Sequence, residues 1–100
     1  MIVGGFVYIL ANPLHSALYT GVTSDLIKRM RQHKNKYFPN SFTAKYNVHI
    51  LLYYQFYPSI TEAILEEKRI KSGNRMQKMR LINSINPLWE DLLEKEVSHW

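Results

Sequence analysis

Gly5-Phe6-Val7-Tyr8-Ile9-Leu10-Ala11, then Asn12-Pro13-Leu14-His15-Ser16, then Ala17-Leu18-Tyr19-Thr20-Gly21-Val22, is the stretch that decides the fold. The first and third blocks are dense in β-branched, aromatic and leucine residues, and the Asn-Pro block between them is turn chemistry. The stretch therefore reads as a β-hairpin with strands over 5–11 and 17–22. Thr23 or Ser24 then offers a side-chain cap for a helix. Leu26, Ile27 and Met30 form its apolar stripe, and the helix fades near Asn35. Residues 36–47 show no period and include Pro39, Asn40 and Ser41, which reads as a loop. Val48 to Tyr57 reads as a third strand. Ser59 and Glu62 form a capping box for a second helix that runs to Ser72, with Gly73 at C′. Met76, Met79, Ile82 and Ile85 recur at helical spacing, and Asn86-Pro87 ends that helix. Leu88-Trp89 and Leu92-Leu93 imply a short final helix docked by its tryptophan. The order ββαβ followed by helices predicts a small α/β (α+β) domain, a three-stranded antiparallel sheet with helices packed on it.

The bulk properties fit one such domain. The chain has 100 residues, 46% of them hydrophobic and 21% charged, as in an ordinary globular protein. No apolar run approaches the roughly 20 residues that a membrane helix requires, and the N-terminus lacks the pattern of a secretory signal. The chain has no cysteine, so it has no disulfide framework and no thiolate metal site; that composition suits a cytoplasmic setting. The net charge is +5 and the pI about 9.6. Residues 26–61 hold six Lys or Arg and no Asp or Glu, and residues 1–86 hold twelve basic against four acidic residues. The last fourteen reverse sign, with Lys95 against Glu90, Asp91, Glu94 and Glu96. A basic body with an acidic tail points to a polyanionic partner, against the simpler reading of a solvated lysine-rich surface.

Several side chains are poorly explained by folding alone. Arg29 and His33 are i,i+4 neighbours at the margin of the first helix's apolar stripe, where an arginine can also simply lie over apolar surface. On the second helix Glu67 falls in the middle of a stripe made by Ile60, Ala63, Ile64 and Ile70, while Glu62 and Glu66 fall outside it. A carboxylate facing the interior is costly unless it is paired or binds a metal. An ion pair to an arginine of a facing helix, or a stripe that opens onto a cleft, would both account for it. Tyr8 and Tyr19 lie on consecutive strands, and a register that pairs them or nearly pairs them would put both hydroxyls on one face. His15 reads as a turn residue, His49 as a strand residue and His99 as part of the tail.

Taken together, these residues resemble the GIY-YIG nuclease family, in particular its short stand-alone bacterial members. The two motifs stand as Val7-Tyr8-Ile9 and Tyr19-Thr20-Gly21. The family's arginine falls at Arg29, ten residues after the second tyrosine, and its histidine at His33. Its helix pattern is met by Ala63, Glu67, Ile70 and Lys71, and its Asn-Pro-x-Trp-x-Asp-Leu ending by Asn86-Pro87-Leu88-Trp89-Glu90-Asp91-Leu92. The similarity spans about residues 6 to 93. Phe6 stands in place of the first motif's glycine and Thr20 in place of the second's isoleucine. The segment Lys71-Ser72-Gly73-Asn74-Arg75 is less basic than in the stand-alone members.

The resemblance implies a metal-dependent endonuclease that hydrolyses phosphodiester bonds in DNA. Glu67 would hold a single Mg²⁺ or Mn²⁺, and Arg29 would bind the scissile phosphate. Tyr8 or Tyr19 would orient or deprotonate the attacking water, and His33 would bridge a tyrosine hydroxyl or a phosphate oxygen. Lys28, Arg31, Lys34, Thr43, Lys45 and Tyr46 would track the strand, and Asn86 would help position the backbone. No base-reading helix is evident, so selectivity is expected to come from the substrate's structure, from weak sequence preference or from a partner protein. A non-catalytic nucleic-acid-binding module on the same fold is the alternative.

Overall fold

Five successive residues of the first strand, Val7 to Ala11, are wholly buried, because the sheet is covered on both sides. In the computed structural model, which describes residues 4–100, this strand β1 (Gly5–Ala11) lies at the centre of an antiparallel sheet ordered β2-β1-β3. β2 spans Leu18–Thr23 and β3 Ile50–Tyr57. Burial on both faces explains why β1 reads as a continuous apolar run rather than an alternation. Val7, Ile9 and Ala11 face one core, closed by Ala63 and Ile70 of α3 (Ile60–Lys71) and Ile82 of α4 (Arg75–Ile85). Tyr8 and Leu10 face the other, with Leu26 and Met30 of α1 (Leu26–Lys34). Leu92 of α5 (Leu92–Lys95) and Val97 of a terminal 3₁₀ turn complete that second core.

The expected architecture of a three-stranded antiparallel sheet flanked by helices is the one observed, with differences of detail that have local causes. α1 is capped by the Asp25 carboxylate, which accepts from the Lys28 N–H at 3.1 Å, whereas Thr23 shapes the turn by accepting from the Asp25 N–H. The segment expected to be a loop contains one short helical turn, α2 (Phe42–Lys45), capped by the Ser41 hydroxyl. β3 begins at Ile50, two residues later than expected, because the Val48 N–H is taken by Thr43 O at 2.8 Å. A bulge opposite Ile9 and Leu10 breaks the alternation of β3, so that Leu52 and the adjacent Tyr53 both join the α3 side. Ser59 caps α3 as expected, but Gly73 does not adopt a left-handed conformation. The complete capping box belongs instead to Asn74 and Gln77 at the start of α4. Ile64, expected in the buried stripe of α3, is exposed. Trp89 precedes the last helix and packs on His15 of the hairpin turn, with ring centroids 5.1 Å apart.

The two departures from the family motifs also find their places. Phe6 joins an aromatic group with Phe56 and Trp100, at centroid distances of 5.2 and 5.7 Å, and so helps hold the C-terminal tail on the sheet. Thr20 faces the α3 side, opposite Ile9, and its buried Oγ1 has no hydrogen-bond partner among the described residues.

The register of the hairpin decides where the Tyr8 side chain can go. Tyr8 pairs with Gly21, and a Cβ on Gly21 would lie 2.4 Å from Tyr8 Cζ and Oη. The glycine of the second motif is therefore the space through which the Tyr8 phenol crosses the edge strand. The ring cannot swing aside, since it is fully buried and its hydroxyl is held at its far end. Gly21→Ala is expected to destabilise the fold by about 1–3 kcal/mol through overpacking. Urea unfolding should show a lower midpoint with an unchanged slope.

Candidate functional site

The register that clears space for Tyr8 also carries Tyr19, opposite Leu10, onto the same face of the sheet. The two rings lie 6.4 Å apart. α1 crosses that face, and its i,i+4 spacing brings Arg29 and His33 to the Tyr8 hydroxyl. His33 Nε2 is 3.0 Å from Tyr8 Oη, and Arg29 Nε donates to the same oxygen at 3.4 Å. On its other side His33 Nδ1 meets Thr43 Oγ1 at 3.0 Å, and Arg29 Nη1 donates to Gln32 Oε1 at 3.1 Å. The four expected residues Tyr8, Tyr19, Arg29 and His33 thus share one constellation. Tyr19, Arg29 and His33 line a cleft of about 350 Å³, whose walls include Phe38 and Phe42.

Glu67 comes to this place from α3, on the other side of the sheet, at the β2 edge. It is 9% exposed, between Ala63 and Ile70 on the buried face of its helix. Its cation is not an arginine from a facing helix. Lys71, one turn along the same helix, meets Glu67 Oε2 at 2.9 Å. The same ammonium lies 5.7 Å from the centre of the Tyr19 ring, which ties the carboxylate to the tyrosine face. The charge of Glu67 also reaches the Tyr8 phenol and works against its ionisation.

The ionisation equilibria follow from this geometry. Burial pushes Tyr8 up to about 12, against the opposing pull of its hydrogen bond from Arg29. Burial and the positive charge of Arg29 push His33 down to about 4, so the imidazole is neutral at pH 7. Burial works against the charged Arg29 guanidinium, but its hydrogen bond to Tyr8 and the Tyr8 and Tyr19 phenols hold its pKa above the ordinary value. At neutral pH the centre therefore holds a fixed cation, a neutral imidazole and a protonated phenol in contact.

The remaining expected residues divide by placement. Lys28 borders a second shallow cleft that also touches Arg29 and Gln32, so Arg29 stands on the ridge between the two hollows. Arg31, Lys45 and Tyr46 are exposed. Lys34 pairs with Glu94 at 3.2 Å, a solvent-exposed bridge worth little in stability. Thr43 is buried, and its hydroxyl is spent on orienting His33 rather than left free for a strand. Asn86 needs a correction. It is buried, with Nδ2 donating to Leu52 O at 3.1 Å and Glu90 O at 2.8 Å, while Oδ1 accepts from the Glu90 N–H at 3.0 Å. Both of its N–H donors are used within the fold and the group is buried, so it offers a nucleic-acid backbone no donor. Sequence reasoning missed Gln32, Phe38, Phe42 and Lys71 as parts of the site. Only Lys71 carried a signal, its i+4 position after an inward glutamate.

A hard divalent cation suits this donor set. Among the described residues no three His, Cys, Asp or Glu side chains cluster closely enough to enclose a metal on their own. Glu67 supplies one largely buried carboxylate whose charge reaches the Tyr8 phenol. Mg²⁺ needs only one or two protein carboxylates and keeps several waters.

Comparisons with known proteins agree with this fold. A sequence model of the GIY-YIG catalytic domain matches residues 4–80. A UPF0213 protein of Clostridium perfringens is 37% identical over 97 residues, covering 93% of this chain and 97% of that protein. The solution NMR structure of a UPF0213 protein from Bacillus halodurans superposes with a TM-score of 0.55 at 25% identity, covering 88% of this chain and 92% of that one.

The depressed His33 pKa has a consequence for stability. In the unfolded chain the imidazole takes up its proton near pH 6.5 and in the folded state only near pH 4, so the unfolded state binds more protons between those values. Stability from this group is complete above pH 6.5 and is lost as the pH falls towards 4. Urea midpoints measured across that window should fall with pH in the wild type and show a shallower slope in His33→Gln.

Proposed function

Because this chain belongs to the GIY-YIG family, we propose that it is a metal-dependent endonuclease that hydrolyses phosphodiester bonds in DNA. Its fold is a nuclease fold, and GIY-YIG nucleases generally use divalent metal ions. The observation that carries the proposal is the Tyr8 hydroxyl held between His33 and Arg29, with the Glu67 carboxylate in electrostatic reach.

Hydrolysis requires an activated water, charge stabilisation on the phosphoryl oxygens and help for the leaving oxygen. A divalent ion held by Glu67 would supply Lewis-acid stabilisation of that charge. Arg29 binds the scissile phosphate through its planar guanidinium, whose plane is set by Gln32. A phenol with a pKa of about 12 is not a free tyrosinate at neutral pH. Tyr8 therefore keeps its proton and, wholly buried behind the cleft, acts as a positioning residue, its hydroxyl holding both His33 Nε2 and Arg29 Nε in place. Thr43 fixes the imidazole from its other nitrogen. Tyr19 lines the cleft and orients the water from the other side, and Lys71 balances the charge of Glu67 within the fold. No recognition helix is assigned among the described residues, and we ascribe selection to the structure of the substrate or to a partner protein.

Cleavage of single-stranded and branched DNA with Mg²⁺ or Mn²⁺ tests this assignment. Glu67→Ala and Arg29→Ala should each lower the single-turnover rate by about 10²-fold or more. Unchanged rates in both variants would remove these residues from the centre. Salt-dependent binding with no turnover under any divalent metal would instead identify a non-catalytic binding module.

A further inference from the structure

The segment between α1 and β3 displays an unusual amount of aromatic surface. Tyr37, Phe38, Phe42 and Tyr46 are 66, 48, 45 and 57% exposed. None of them belongs to either hydrophobic core. Leaving such rings in water forgoes the stabilisation their burial would give. Their placement is ordered. Phe42 stacks on Tyr19 at 6.2 Å with ring planes 24° apart, and Tyr46 lies 4.8 Å beyond Phe42. The three rings make a file that leads outward from the cleft. Phe38, which lines the same cleft, has the Arg29 guanidinium 5.6 Å over its ring and packs edge-on against Tyr37 at 4.9 Å.

We propose that Tyr19, Phe42 and Tyr46, with Phe38 in the same cleft, form a stacking platform for unpaired bases, so that the substrate is single-stranded DNA at and beside the scissile phosphate. This rests on the proposed function for the identity of the ligand and deepens it by naming the substrate class. In a duplex the faces of the bases are covered by their neighbours and only edges and phosphates are offered. Ring faces beside a phosphate site are useful only for bases out of the stack. The charges agree. Lys36 lines the cleft, Lys45 is exposed on the same turn as Phe42, and no acidic residue occurs from 26 to 61. A surface built to bury its aromatics against a second copy or another protein would not call for lysines set among the rings with no counter-charge.

Fluorescence anisotropy of the full chain in EDTA reads binding without turnover. The probes are a labelled oligothymidylate of about 12 nucleotides, a blunt duplex of equal length, an abasic strand with the same number of phosphates and an oligouridylate. The wild type should bind the oligothymidylate about ten-fold or more tighter than either the duplex or the abasic strand. Phe42→Ala and Tyr46→Ala should each weaken oligothymidylate binding about five-fold or more and leave duplex binding within about two-fold. Phe42→Trp should retain the affinity, whereas Phe42→Leu, apolar but not flat, should lose it.

Equal affinity for the abasic strand, or no effect of the alanine variants, would overturn the proposal. So would tighter binding of the oligouridylate, which would assign the platform to RNA. Wild-type dimerisation in sedimentation that Phe42→Ala abolishes would also overturn it, by making the face an interface between copies. Ring-dependent binding without any Mg²⁺-dependent cleavage would fail the proposed reaction alone. Normal cleavage with ring-independent binding would fail the platform alone.

Discussion

A phenolic hydroxyl in the middle of a strand buried on both faces must find hydrogen-bond partners, and most of this molecule's special residues are arranged around that need. An unsatisfied hydroxyl at Tyr8 would cost about 1–3 kcal/mol. Gly21 gives the ring its passage over the edge strand, and α1 supplies both partners from residues one turn apart. His33, once buried to meet the phenol, needs a partner for its second nitrogen, and Thr43 provides it from the short helix that Ser41 caps. Satisfaction of one buried group thus fixes the hairpin register, the placement of α1 and the docking of the 37–46 segment.

The same arrangement fixes the charge of the cluster. Burial and the permanent Arg29 cation keep the His33 imidazole neutral, and burial keeps the Tyr8 phenol protonated. Charge enters from a separate element, as the Glu67–Lys71 pair on α3. The sheet's two faces are therefore not equivalent. One presents the cluster of Tyr8, Arg29 and His33, and the other carries Glu67, buried between Ala63 and Ile70 on α3.

Much of this was legible in the chain because local and global requirements agree. The hairpin, α1, α3 and α4 follow from turn residues, caps and apolar periods, and the inward Glu67 stood out because it broke a period. Other features depend on partners distant in sequence. α2 is a single turn, too short to show a period, and its cap Ser41 sits in a stretch of loop-forming residues. Asn86 was expected at the site from the resemblance of Asn86–Leu92 to the family's ending, but its amide clamps Leu52 and Glu90, contacts that only the tertiary fold creates. Tyr37, Phe38 and Phe42 resembled ordinary loop residues until their exposure and their order beside the cleft were visible.

If the Tyr8 hydroxyl is the atom on which the centre turns, removing that atom alone should disable it. Tyr8→Phe keeps the ring over Gly21 and the packing against α1, and deletes only the oxygen that His33 and Arg29 share. The direct measurement is the single-turnover rate of Mg²⁺-dependent cleavage by Tyr8→Phe, taken at a temperature where circular dichroism shows the variant folded. The rate should be lower by about 10²-fold or more, because His33 and Arg29 lose the oxygen that positions them, with oligonucleotide affinity preserved. A folded Tyr8→Phe protein that cleaves at the wild-type rate would contradict a positioning role for that oxygen.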